Sequence, residues 1–241
     1  MSEQISSTDR MSLAVRDWMH ELQSYPGWRE WKRGHIAYVL SFDDEVAERL
    51  TPSKEFMFSQ KIENEHAVVL MFLELLSTAH ALRDVEWYFR RYPFSQAPVS
   101  RESHLRYCCE MYFGRFYQFR ERLKKLSKAV NRACPDNGLD FGRFIKTFDK
   151  EFDQEIRARH GVHHHEAFDD AAISRIALLE LTDQSNSRAT SKQHYQSLYR
   201  KTAKDWAART RRRADMLDLF IEAVAETLLK VCSFLPERID D

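Results

Sequence analysis

The sequence predicts an all-α protein: an up-and-down helical bundle, residues 53–241, with an N-terminal helical extension, residues 1–52. Three observations predict it. Gly and Pro number only 6 each in 241 residues, too few for the many turns of a β protein. Apolar residues recur in steps of three or four along most of the chain. The stretches between these stripes are short and polar, as in bundles of antiparallel neighbours. With 43% hydrophobic and 31% charged residues, the balance is globular and excludes a wholly disordered chain.

The elements follow in order. Asp9 to Gln23 reads as a helix, with Leu13, Val15, Trp18 and Leu22 as a loose stripe and Thr8 as cap; Pro26-Gly27 ends it. Trp28 to Leu50 carries two patterns: Ile36, Tyr38 and Leu40 alternate like a strand, while Glu45 to Leu50 favours helix. Thr51 or Ser53 opens a long helix to about Tyr92, with Val69, Leu73 and Leu76 on one face and His66 and His80 in line with them. Pro93 and Pro98 bracket a loop. Ser100 to Arg132 is the clearest helix. Leu105, Cys108, Tyr112, Phe116, Phe119, Leu123, Leu126 and Val130 form one stripe. After the turn at Pro135 to Gly138, Phe141, Phe144, Ile145, Phe148, Phe152 and Ile156 continue at helical spacing, and this helix runs out near Arg157 to Gly161. The next is capped by Asp169 or Asp170 and faces inward through Ile173, Ile176 and Leu179. A polar linker, Thr182 to Ser191, precedes a final helix from about Lys192 to Ser233. Its stripe is Leu217, Phe220, Val224, Leu228 and Val231; from Thr202 to Ala214 only Trp206 is large and apolar, which predicts exposure or a break there.

Charge and cysteine use narrow the class. Basic and acidic residues number 37 each, so any basic surface is local. The 4 cysteines, Cys108, Cys109, Cys134 and Cys232, show neither CxxC spacing nor a disulfide framework; Cys108 falls on the apolar stripe as a buried thiol. MSEQISSTDR has no apolar signal region. The longest apolar run, Ala67 to Leu73, is far short of the ~20 residues that span a bilayer. A reducing, cytoplasmic setting without membrane contact is expected. No Gly-rich phosphate loop and no serine elbow is present.

The densest polar constellation is Arg157 to Glu166, where His160, His163, His164 and His165 crowd the end of a helix. Arg159 follows Ile156 by three and Phe152 by seven, so it projects from the buried-stripe face just beyond its apolar end. Gly161 permits a sharp exit from the helix. This chemistry suits RNA cleavage without a metal or other cofactor. The 2′-hydroxyl loses a proton as it attacks its own phosphodiester; an imidazole near neutrality takes that proton or supplies one to the leaving oxygen. An Arg fork holds the phosphate and spreads its growing charge.

With its all-α setting, Arg159-His160-Gly161-Val162-His163-His164 resembles the R-x4–6-H motif of the HEPN superfamily, over roughly Ser53 to Leu181. The polar position after the Arg is His160, where the family more often has Asn. The resemblance implies a four-helix core, Arg159 as phosphate clamp, His164 as acid/base and His160 as the residue that orients the pair. It also implies a homodimer whose two motifs form one ribonuclease site, and a place in a toxin–antitoxin or phage-defence module with a cognate antitoxin or defence partner.

Two basic stretches offer backbone contacts to RNA. Arg120, Arg122, Lys124 and Lys125 belong to the first, Arg209, Arg211, Arg212 and Arg213 to the second, and Arg157 joins them from the His cluster. Each stretch also reads as a solvated helix face. Other readings stand beside the nuclease. His160, His163, His164, His165, Glu166, Asp169 and Asp170 carry metal-ligand chemistry, but their spacing fits no strong pattern. Glu63-x-x-His66 would be half of a di-iron motif lacking its second copy, which leaves His66 and His80 as partly buried, hydrogen-bonded residues. The rival function is a non-catalytic helical interaction module with a His-rich loop between helices.

Overall fold

A computed structural model describes residues 5–41, 57–91, 99–164, 168, 170–185 and 189–235. Those residues form helices and no strand, as the all-α reading requires: α1 Ser7–Leu22, α2 Trp28–Leu40, α3 Gln60–Arg90, α4 Arg101–Ala133, α5 Phe141–Glu151, α6 Asp153–His164, α7 Ala171–Ser185 and α8 Ala189–Val231. No described helix is long and apolar enough to cross a membrane.

The chain divides into two compact units. The first takes Met1–Leu70, Lys128–Asn137 and Glu222–Asp241; the second takes Met71–Ser127 and Gly138–Ile221. The first unit thus extends past residue 52 and includes the ends of three later helices.

Its core gathers around Trp18. The indole is 3% exposed, donates to Glu65 at 2.9 Å and meets Phe234 edge-on at 6.3 Å. Ser6 caps α1, not Thr8: the Ser6 hydroxyl accepts from the Asp9 N–H at 3.0 Å, while the Thr8 hydroxyl donates to Glu222. Leu13 is exposed, and Met11 and Ala14 join Val15, Trp18 and Leu22 instead. Residues 28–40 settle as helix. Trp28, Trp31 and His35, at i, i+3 and i+7, stack in succession with ring centroids 5.1 Å apart, whereas Ile36, Tyr38 and Leu40 are all exposed. Gly27, at φ 80°, makes the left-handed turn into α2. Glu45 to Leu50 lies outside the described residues.

Helix α3 starts at Gln60, after non-helical 57–59; the starts expected at Thr51 or Ser53 lie outside the description. Its face is rotated from the expected one. Val68, Val69, Phe72, Leu75, Ala79 and Leu82 are buried, whereas Leu73, His66 and His80 are exposed. Leucines at 70, 73, 75 and 76 surround this helix, so spacing alone fits more than one face. Helix α4 buries all eight residues of its expected stripe.

The second unit has an aromatic core. Trp206 stands within 6 Å, centroid to centroid, of Phe89, Tyr112, Phe113 and Phe168. Phe148 stacks on Phe119 at 5.2 Å and meets Phe152 at 4.8 Å. The helix expected over 141–156 is broken at Phe152 (φ −112°, ψ 25°), whose ring is fully buried. Asp170 caps α7, its Oδ1 accepting from the N–H groups of Ala172 and Ile173 at 2.9 and 3.1 Å. Helix α8 is unbroken where a break or exposure was expected: Thr202, Ala203, Trp206, Ala207, Thr210 and Ala214 are buried. Small side chains pack this stretch, and a search for large apolar residues overlooks them.

Candidate functional site

The end of α6 carries the Arg–His cluster. The helix does not leave at Gly161 but continues to His164. One glycine inside a helix costs only about 1 kcal/mol, and Asp153 and Glu155 in the first turn favour the helix dipole. Continuity changes the register. At 3.6 residues per turn, positions 159 and 164 are about 140° apart around the axis, whereas 163 is about 40° from 159. For His160 and residues 161–164 the backbone alone is described; His165, Glu166 and Asp169 lie outside the description.

Arg159 is half-buried. Its guanidinium carbon lies 3.5 Å from the centroid of the Tyr117 ring, a cation–π contact that fixes the plane of the fork. Its Nε is buried and has no hydrogen-bond partner among the described residues. Arg157, two residues earlier, is exposed and donates Nε to Asp153 at 2.7 Å.

Arg120, Arg122, Lys124, Arg209 and Arg213, five of the expected RNA-contacting cations, are part-exposed and pair with carboxylates. Arg120 grips Asp149 with two bonds, 2.5 and 2.7 Å; these bonds raise its pKa above the ordinary arginine value, against a smaller opposing effect of burial. Arg122 bonds Glu74 at 3.2 Å and the Thr78 hydroxyl. Lys124 pairs with Glu121 at 2.8 Å. Arg209 and Arg213 converge on Glu155. Lys125, Arg211 and Arg212 are exposed.

Glu155, wholly buried, is the residue that sequence reasoning missed. It accepts from the Tyr112 hydroxyl at 2.9 Å, from Arg209 Nη2 at 2.9 Å, and from Arg213 Nε and Nη2 at 3.2 and 3.1 Å. Aromatic faces support both cations: Arg209 lies over Trp206 at 4.9 Å and Arg213 over Phe152 at 5.5 Å. Burial and the neighbouring carboxylate push the Tyr112 phenol up. Burial pulls Arg209 down, but its bonds to Glu155 and Tyr112 leave it above the ordinary value. A signal was present in the sequence: Glu155 falls three residues after Phe152, on the inward line of the stripe.

A second polar cluster is also internal. His104 Nδ1 is 3.1 Å from the Tyr199 hydroxyl, and its Nε2 is 3.6 Å from the Cys108 sulfur. Burial lowers the His104 pKa and pushes the Cys108 thiol up to about 12, so this Cys–His pair holds a neutral thiol, not a nucleophilic thiolate. All four cysteines are free. Among the described residues no three His, Cys, Asp or Glu side chains gather as a metal site; most of the suggested ligands around His163 fall outside that set. Glu63, His66 and His80 are all exposed on α3, which corrects the expectation that His66 and His80 are partly buried.

No protein-family model, no curated protein and no solved structure matches this chain.

Proposed function

We propose that the chain binds RNA and cleaves it without a metal, as a HEPN-type endoribonuclease whose site is the end of α6. The observation that supports this is the setting of Arg159. Arg120, Arg122, Arg209 and Arg213 each meet a carboxylate; Arg159 is oriented by a tyrosine ring instead. Among the described residues no carboxylate pairs with it, so its charge and donors remain for an anion. Four histidines follow within six residues.

In this reading Arg159 clamps the scissile phosphate and His164 moves the proton, with His160 orienting the pair; helix continuity makes His163 the rival for the proton-transfer role. The 2′-oxygen attacks phosphorus, the bond to the 5′-oxygen breaks, and that oxygen leaves with a proton. The products are a 2′,3′-cyclic phosphate and a 5′-hydroxyl. Backbone contacts beyond the site fall to Lys125, Arg211 and Arg212. A homodimer joins two α6 ends into one site, and the protein works in the cytoplasm within a toxin–antitoxin or defence module.

The test is RNA cleavage by purified protein with EDTA present. Arg159→Ala should lower the rate by roughly 10²–10⁴-fold. His163→Ala and His164→Ala separate the two candidate imidazoles, since only the true acid/base should match that loss. DNA, which lacks the 2′-hydroxyl, should resist. Cleavage that survives Arg159→Ala, or that vanishes with EDTA, removes this mechanism. A non-catalytic interaction module is the second reading, favoured by Leu178 and Leu181 of α7. These lie at i and i+3 and are 64% and 66% exposed, as side chains awaiting a partner would be.

A further inference from the structure

A concave site lies in the first unit, between the end of α1 and one face of α2. It encloses about 330 Å³ and is lined by Gln23, Trp28, Arg29, Lys32, Arg33 and Ile36. That volume is at the small end of ligand pockets, which run about 300–1,000 Å³. The lining is one-sided in charge: three cations, one amide, two apolar walls and no carboxylate.

Helical spacing makes this site. Positions 29, 32, 33 and 36 are i, i+3, i+4 and i+7, the stripe that a helix normally turns to a core. Here it holds Arg, Lys, Arg and Ile. Arg29 is oriented, because its Nε donates to the Gln23 carbonyl at 3.2 Å; the remaining nitrogens of its fork are thereby directed away from that bond. No carboxylate pairs with Arg29, Lys32 or Arg33 among the described residues. The apolar wall is held in place as well. Trp28 stacks on Trp31 and meets Phe58 at a tilt, both at 5.1 Å.

Three like charges on adjacent turns repel one another unless an anion joins them. Two guanidinium forks and an ammonium suit the several oxygens of a phosphate, and guanidinium bonds to phosphate are among the stronger ones. Trp28 and Ile36 would cover a small organic body attached to it. We infer that this pocket binds a phosphomonoester, a terminal phosphate on a compact organic group. A free nucleotide and the 5′-phosphate end of an RNA share this chemistry. The site shares no residue with the α6 cluster, and its function does not depend on the nuclease reading.

Trp28 in the wall makes tryptophan fluorescence the readout, with calorimetry beside it. The probes are adenosine monophosphate, adenosine, inorganic phosphate, and a short RNA with or without a 5′-phosphate. Adenosine monophosphate should bind saturably and adenosine should not. Arg33→Ala and Lys32→Ala should each weaken binding by about tenfold or more, the scale of one charge-assisted bond. Lys61→Ala, an exposed cation outside the pocket, should leave it unchanged. These positions line an open site, so helix content by circular dichroism should hold in every variant. If the RNA binds only when 5′-phosphorylated and more tightly than adenosine monophosphate, the source is an RNA end; if the mononucleotide is tighter, it is a free nucleotide. Equal binding of adenosine and its monophosphate, no saturable binding of any phosphate, or an equal loss on Lys61→Ala overturns the inference. Cleavage activity is not the readout, so failure here leaves the nuclease proposal standing.

Discussion

Arg209 and Arg159 both rest against tyrosine rings in the second unit, and their surroundings differ in one respect. Arg209 lies over Tyr112 and Trp206 and ends on the buried carboxylate of Glu155. Arg159 lies over Tyr117, closer to its ring, and ends on no carboxylate among the described residues. The first arrangement is electrostatically closed: Glu155, with Glu151 at 3.9 Å from Arg213, supplies two carboxylates to two guanidinium groups, and the Tyr112 phenol donates to Glu155. The second leaves a fixed cation with spare donors. Residue type does not separate paired from unpaired arginines in this chain; a carboxylate within reach does. The same comparison reinterprets the basic stretches, where Arg120, Arg122, Arg209 and Arg213 pair with carboxylates and Arg211 and Arg212 are exposed.

The largest effect should come from breaking the closed cluster. Glu155→Ala removes the buried anion on which Arg209, Arg213 and the Tyr112 phenol converge, leaving Arg213 only Glu151 at 3.9 Å, and loss of one partner from such a set costs about 3–5 kcal/mol. Urea denaturation should show a large drop in midpoint. Arg159→Ala removes one cation–π contact and should cost less than about 1 kcal/mol. Equal losses for the two variants would mean that Arg159 is also a structural cation, and the comparison would collapse.

Next come the rings beneath the closed cluster. Phe148 and Phe119 are fully buried and stack with planes 15° apart. Phe148→Ala should cost about 3–5 kcal/mol by opening a cavity, with the m-value unchanged. An unchanged midpoint would show that the core next to α6 can collapse around the loss, and the fixed geometry ascribed to Arg209 and Arg213 would go with it.

The sequence makes the class and the longest stripe legible because large apolar residues mark them. Leu105 to Val130 on α4 needs nothing beyond periodicity. The missed features share another physical origin. The middle of α8 is buried through Ala203, Ala207, Thr210 and Ala214, whose small side chains give a weak hydrophobic signal. The face of α3 cannot be chosen from spacing when leucines surround the helix. The break at Phe152 is a single backbone excursion inside an unbroken apolar pattern. At the candidate site, Arg159 beside a buried stripe follows from spacing to Ile156, but its seat on Tyr117 is a contact between α4 and α6 that no local pattern encodes. Glu155 is hidden for the same reason: its partners come from α4 and α8, far away along the chain.

The smallest effect concerns protons, at the enclosed His104. Burial holds His104 below its ordinary pKa of 6.5, while the carbonyls of Tyr88 and Arg91 act in the opposite direction as weaker causes. The Tyr199 hydroxyl and the Cys108 thiol face its two nitrogens. The folded state therefore favours the neutral ring. Between the lowered folded value and 6.5 the unfolded chain binds more protons, so stability rises with pH across that window. The contribution is fully present above pH 6.5 and is lost as pH falls through the folded pKa. Denaturation midpoints measured stepwise downward from pH 7.5 should begin to decline in the wild type as pH passes below 6.5, and this contribution should level off once pH is below the folded value. His104→Gln, which cannot titrate, should reduce this slope, whatever it does to absolute stability. A slope untouched by His104→Gln would show that the enclosed ring between Tyr199 and Cys108 does not carry it.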